Sequence, residues 1–102
     1  MPTFLYQLHA TRPEMLSIGS TPEEDAIVSE HFDHLKVLTE QGVMLFVGRT
    51  LNTDPSCFGI AIFEADSEEQ ALQIMNDDPA VKKGIMRAKL YPFHVALAGD
   101  LS

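Results

Sequence analysis

Apolar residues recur along this chain at two different periods, and the changes of period divide it into elements. From Thr3 to Ala10, Phe4, Tyr6 and Leu8 alternate with Leu5, Gln7 and His9, which predicts a strand. Thr11 to Ser20 has no period. Its Pro13, Ser17, Gly19 and Ser20 mark a loop, and its Met15, Leu16 and Ile18 should tuck inward as the cover of a pocket. From Thr21 to Gly42 the period becomes helical. At about 100° per residue, Ile27, His31, His34 and Leu38 share one stripe, with Leu35 beside it. Thr21-Pro22-Glu23-Glu24 supplies a capping hydroxyl, a proline at the first helical position and a glutamate three residues on. Gly42 supplies the stop.

Val43 to Thr50 and Cys57 to Ala65 read as two further strands. Leu51 to Ser56 joins them, and its Asn52, Asp54 and Pro55 suit a hairpin. Ser67 opens a second helix, with Gln70 completing a capping-box pattern and Ala71, Leu72 and Met75 as the apolar face. Asn76-Asp77-Asp78-Pro79 ends it. One further turn over Pro79 to Lys83, capped by Asp78 and closed by Gly84, leads to a last strand, Met86 to Leu97. Pro92 inside that strand suits an edge position or a bulge. The order βαββαβ predicts an α+β, ferredoxin-like domain spanning residues 1–102. Its four-stranded antiparallel sheet would carry both helices on one face.

The strands are apolar on both sides. Met44 and Phe46 oppose Val43, Leu45 and Val47; Phe58, Ile60 and Ile62 oppose Ala61 and Phe63; Ala88, Leu90 and Ala96 oppose Tyr91, Phe93, Val95 and Leu97. A sheet face left to water should alternate with polar residues. Two helices cover one face, and the tail Ala98 to Ser102 is too short to cover the other. A homodimer packed sheet to sheet is therefore expected. Hiding several hundred Å2 of apolar surface per subunit would contribute on the order of ten kcal/mol before ordering costs.

Charge narrows the partners. The 102 residues carry a formal net charge of −8, with basic residues scattered, which argues against nucleic acid or an anionic membrane surface. Cys57 is the one cysteine, so no internal disulfide forms and a reducing compartment fits. The first ten residues lack the pattern of a signal peptide, and no apolar run approaches the ~20 residues of a membrane span. A cytoplasmic, soluble protein is expected.

Candidate chemistry centres on the two histidines in an otherwise aliphatic stripe. His31 and His34 lie at a spacing that can hold a metal if a carboxylate joins them, but nothing fixes a third ligand, so no metal is expected. Arg49, after Gly48 near the end of the second strand, can anchor a carboxylate or phenolate; a surface salt bridge is the commoner fate of such a residue. Tyr6 is either core or a hydroxyl donor in the pocket. His9 and His94 lie on strands and read as partly exposed residues near strand ends, with His94 retained as a substrate-binding candidate. Cys57 has no cationic neighbour in the sequence to activate it and reads as packing.

Gly42, Val47-Gly48-Arg49, Gly59, the run Glu64 to Glu69, Asp78-Pro79 and Gly84 follow one another in a distinctive order. With His34-Leu35 on the helix, the set resembles the YCII-related (YciI-like) family over nearly the whole chain. The resemblance implies a ferredoxin-like sandwich that pairs into a dimeric α/β barrel. It also implies an active-site pair made of a first-helix histidine and the aspartate of an Asp-Pro step, here His34 and Asp78. Related proteins include a chlorohydroxyquinol dehydrochlorinase, and other dimeric α/β barrels include lactone isomerases and small-aromatic monooxygenases. The chain departs from the family pattern at His31, where an arginine is frequent, at Arg49, where a proline is frequent, and at Ala80, where an aromatic is frequent.

Two functions fit. The first is a cofactor-free enzyme acting by elimination, isomerisation or dehydrochlorination on a small hydroxylated aromatic or a lactone. There His34 would move the proton and Asp78 would orient it, with His31, Arg49, Tyr6 and His94 around the substrate. The second is a non-catalytic ligand-binding or accessory homodimer, in which His34 is a hydrogen-bonded core histidine and Asp78 a helix cap.

Overall fold

A computed structural model describes residues 1–100, so the last two residues of the Ala98–Ser102 tail lie outside the described residues. In chain order the elements are β1 (Thr3–Ala10), α1 (Glu14–Ser17), α2 (Pro22–Glu40), β2 (Met44–Arg49), β3 (Gly59–Glu64), α3 (Glu68–Asp77), α4 (Pro79–Lys82) and β4 (Met86–Pro92). The strands form one antiparallel sheet in the order β2-β3-β1-β4. This is the ferredoxin-like α+β arrangement. The local signals are met: Thr21 Oγ1 accepts the Glu24 N–H at 3.1 Å, and Glu24 Oε1 accepts the Thr21 N–H at 2.8 Å, a reciprocal capping box. Gly42 and Gly84, at φ +79° and +78°, take the left-handed turns that end α2 and precede β4. Among the described residues no helix is long and apolar enough to cross a membrane.

The core lies between the helices and one face of the sheet. Phe4, Tyr6 and Leu8 of β1 and Ala61 and Phe63 of β3 meet Leu35 of α2 and Ala71 and Met75 of α3. The Phe63 ring sits 6.1 Å from Phe4 and 5.6 Å from Tyr6, the latter edge-on.

Three details depart from the alternation read along the chain. Met44 pairs with Phe63 but Phe46 pairs with Ile62, so β2 carries a bulge at Leu45. Beyond the bulge every side chain changes face: Val47 and Arg49 point to the helix side with Ala61 and Gly59, and Phe46 joins Ile62 on the open side. Strand β4 sits at the edge and stops at Pro92, although the Phe93 N–H still donates to Thr3 O at 3.0 Å. The stretch from residue 11 to 20 holds the single turn α1 and buries Met15.

The open face keeps its apolar character. Leu5, Ile60 and Ile62 are half-buried there, while Phe46 and Tyr91 are 37% and 38% exposed.

Candidate functional site

The Asp78-Pro79 step joins two helices and buries a carboxylate. Asp78 has the extended conformation (φ −59°, ψ 123°) that a following proline imposes. Its N–H donates back to Met75 O at 3.3 Å and its Oδ1 accepts the Ala80 N–H at 3.0 Å, so the residue closes α3 and caps α4. It has no exposed surface. The same Oδ1 lies 2.6 Å from His31 Nδ1, and Oδ2 accepts the Tyr6 hydroxyl at 2.7 Å. Tyr6 reaches it from the middle of the sheet. Burial pushes the Tyr6 hydroxyl far above its ordinary range, and the Asp78 charge and hydrogen bond push it further, so it remains a donor.

His31 is the one member of this chain of bonds that reaches open space, its side chain 13% exposed. It lines a cavity of about 320 Å3 between α2, the sheet and the α1 segment. Val28, Phe32 and Leu35 continue the α2 wall, Leu8 and Val47 come from strands, and Met15 and Leu16 form the cover expected of residues 11–20, while Ile18, expected inward with them, is exposed. Arg49 is the cavity's one permanently charged side chain. Its Nη1 reaches Thr50 O at 3.4 Å, and no carboxylate among the described residues lies within ion-pairing distance of it.

The cover is tethered. Arg12 Nε and Nη2 hold Glu24 Oε2 and Oε1 at 2.9 and 2.5 Å, and Nη2 also donates to Gly19 O at 3.1 Å. The bonds from Arg12, and then from the Thr21 N–H, hold the Glu24 carboxyl down at about 2. The sequence reading did not find this pair; its visible trace was a lone arginine shortly before an acidic first turn.

Asp78 therefore takes His31, whereas the family resemblance pointed to His34. His34 is half-buried, does not line the cavity, and makes no hydrogen bond to Asp78. The reason is axial. Both histidines occupy the stripe, but three residues advance a helix by about 4.5 Å. The turn of α2 that stands level with α4 is the one carrying Glu30 and His31, as the Lys83–Glu30 ion pair at 2.9 Å also shows. His94 lies elsewhere, in an open cleft of about 550 Å3 between the start of β1 and the residues after β4. His9 lies beside Phe58, with ring centroids 6.2 Å apart. Cys57 is buried and lines the cavity wall. Among the described residues no three His, Cys, Asp or Glu side chains gather as metal ligands. The site thus brings together His31, Asp78, Tyr6 and Arg49, and leaves out His34 and His94.

Comparison with known proteins adds three findings. The family model of the YCII-related domain matches residues 3–94. No curated protein matches the sequence. Among solved structures, the fold is similar to that of 5-chloro-2-hydroxyhydroquinone dehydrochlorinase (TftG) from Burkholderia phenoliruptrix AC1100, in complex with 2,5-dihydroxybenzoquinone. The TM-score is 0.63, at 18% identity, covering 89% of this chain and 93% of that one.

Proposed function

The chain belongs to the YCII-related domain family, and from that membership and the bonds running Tyr6–Asp78–His31 we propose that it is a small cofactor-free enzyme working by acid–base chemistry. One observation carries the reading: His31 has Nδ1 on a fully buried carboxylate and its remaining nitrogen free for an apolar cavity. As a carboxylate, Asp78 is an acceptor only, so the proton of their shared bond belongs on Nδ1, and in the neutral ring Nε2 keeps its lone pair. Nε2 takes a proton from a ring hydroxyl or an acidic C–H, and Asp78 steadies the imidazolium that results. The electron pair left on the substrate moves into the ring. The imidazolium returns its proton to a ring carbon, which completes an isomerisation; where that carbon bears chlorine, loss of a second hydroxyl proton to the freed Nε2 drives chloride out with its bonding pair and leaves a quinone. Arg49 meets the oxygen on which negative charge develops.

The cavity is apolar apart from His31 and Arg49 and has room for one small ring. A small hydroxylated aromatic or a lactone suits it, and the likeness in fold to a hydroxyhydroquinone dehydrochlorinase supports that choice. We read the open face, with Phe46, Ile60, Ile62 and Tyr91, as the seat of a second copy packed sheet to sheet. Phe46→Asp should then yield monomers by light scattering. A cytoplasmic setting agrees with the free Cys57.

The test compares His31→Gln with His34→Gln. Turnover is followed on chlorinated di- and trihydroxybenzenes and binding on 2,5-dihydroxybenzoquinone. His31→Gln should lower kcat by roughly 10²–10⁴-fold, and His34→Gln should leave it within about twofold. Tight binding of the quinone with no turnover of any ring, in wild type as in both variants, would instead establish the non-catalytic ligand-binding dimer.

A further inference from the structure

Tyr6 has no access to the cavity, yet its hydroxyl ends on the same carboxylate as His31. We infer that Tyr6 is the positioning residue of His31: by donating to Asp78 Oδ2 it keeps Asp78 the acceptor in its bond to Nδ1, and so decides which ring nitrogen faces the cavity without a proton. The inference rests on the reading of His31 as the group that meets the ligand.

Asp78 has no exposed surface, so water cannot replace a missing donor there. Its Oδ1 meets His31 Nδ1 and accepts the Ala80 N–H, whereas Oδ2 has Tyr6 alone. Burial disfavours the charge of a carboxylate unless donors meet both its oxygens, and the protonated acid is the competing form. As a neutral acid it would donate to Nδ1 and leave the ring proton on Nε2. The cavity would then meet a donor where it now meets an acceptor. The Tyr6 hydroxyl closes that route. Its burial keeps the phenol protonated, and the Phe63 ring packed edge-on at 5.6 Å holds it in place.

The test needs no ligand. Long-range proton–nitrogen spectra of 15N-labelled protein resolve the ring nitrogens of the 4 histidines, with His31 assigned by loss of its signals in His31→Gln. Wild type should show a protonated Nδ1 and a bare Nε2 at His31. In Tyr6→Phe the two nitrogen shifts should move toward each other as the proton is shared between both positions. Should that variant not fold, wild type grown with 3-fluorotyrosine serves instead. Fluorine makes the hydroxyl a stronger donor, draws charge to Oδ2, and should move the His31 Nδ1–H resonance upfield. A His31 spectrum identical to wild type in the folded variant, or in the fluorinated protein, overturns the inference and leaves Tyr6 a core residue. Failure of the proposed chemistry would look different, with altered spectra and no ring ever bound or turned over. Where a substrate is turned over, Tyr6→Phe should lower kcat by roughly ten- to a hundredfold with KM little changed, the usual cost of losing a residue behind a functional histidine.

Discussion

Glu24 and Asp78 are the two buried charged side chains among the described residues, and each stands at the start of a helix. Both accept a capping backbone N–H: Glu24 from Thr21, Asp78 from Ala80. Both carry one further nitrogen partner from a distant element. They differ in what that partner can do next. Arg12 is permanently charged, its side chain is 39% exposed, and its remaining contact is Gly19 O. His31 can gain or lose a proton, and its second nitrogen meets a cavity. An acid buried at a helix start is therefore no sign of function by itself. The sign is a titratable donor with a free face on empty space.

Removing each acid should separate the two regions most widely. Asp78→Ala leaves the Tyr6 hydroxyl, the Ala80 N–H and the His31 ring without their acceptor in a site closed to water. The expected cost is about 3 kcal/mol, or on the order of 15 °C in Tm for a chain of this size, read by calorimetry. Glu24→Ala releases groups that water can reach, and its Tm should fall by much less. Equal losses would mean that the Asp78 network is no more enclosed than a surface cap, and would remove the physical basis for a poised His31.

Acid should sharpen the contrast next. The folded Glu24 carboxyl lies at about 2, below its ordinary 4.5. Its contribution is thus fully present above about pH 4.5 and fades as pH falls toward 2. The Tm difference between wild type and Glu24→Gln should stay level from neutral pH down to about 4.5, then shrink and vanish near pH 2. Salt should shrink it as well, since Arg12 is partly open to solvent. A difference that persists at pH 2 would show that the carboxyl acts through packing and not through charge.

The fold was legible because its punctuation is local. Thr21, Ser67, Asp78-Pro79, Gly42 and Gly84 each fix a terminus through a cap or a backbone angle that their own side chains dictate. The site was legible only in part. Helical periodicity places His31 and His34 on one stripe, but the choice between them depends on how far α2 slides along α4, which packing decides. The bulge at Leu45 is likewise invisible in an unbroken run of apolar residues, and it alone turns Val47 and Arg49 toward the cavity. Tyr6 was recognisable as core; that its hydroxyl serves Asp78, 72 positions away, is a consequence of the fold.

The smallest effect expected tests whether the two regions are independent. Arg12 ties the cover of the cavity to α2 and to Gly19. Helix α1 is only 4 residues long and cannot hold itself by backbone bonds alone, and Met15 is its one buried residue. Arg12→Gln should therefore loosen residues 14–18 and little else. Their amides should exchange about fivefold faster, as expected for a local opening, while Tm changes by no more than a degree or two because a partly exposed ion pair adds little to global stability. The Thr21–Glu24 capping box survives the substitution, so α2 should keep its start. The ring nitrogens of His31 should keep their resonances, since Nδ1 is fixed by Asp78, which Tyr6 and Ala80 hold in turn. Movement of those resonances in Arg12→Gln would show that the cover presses on His31. The tether and the Asp78 network would then be one device and not two.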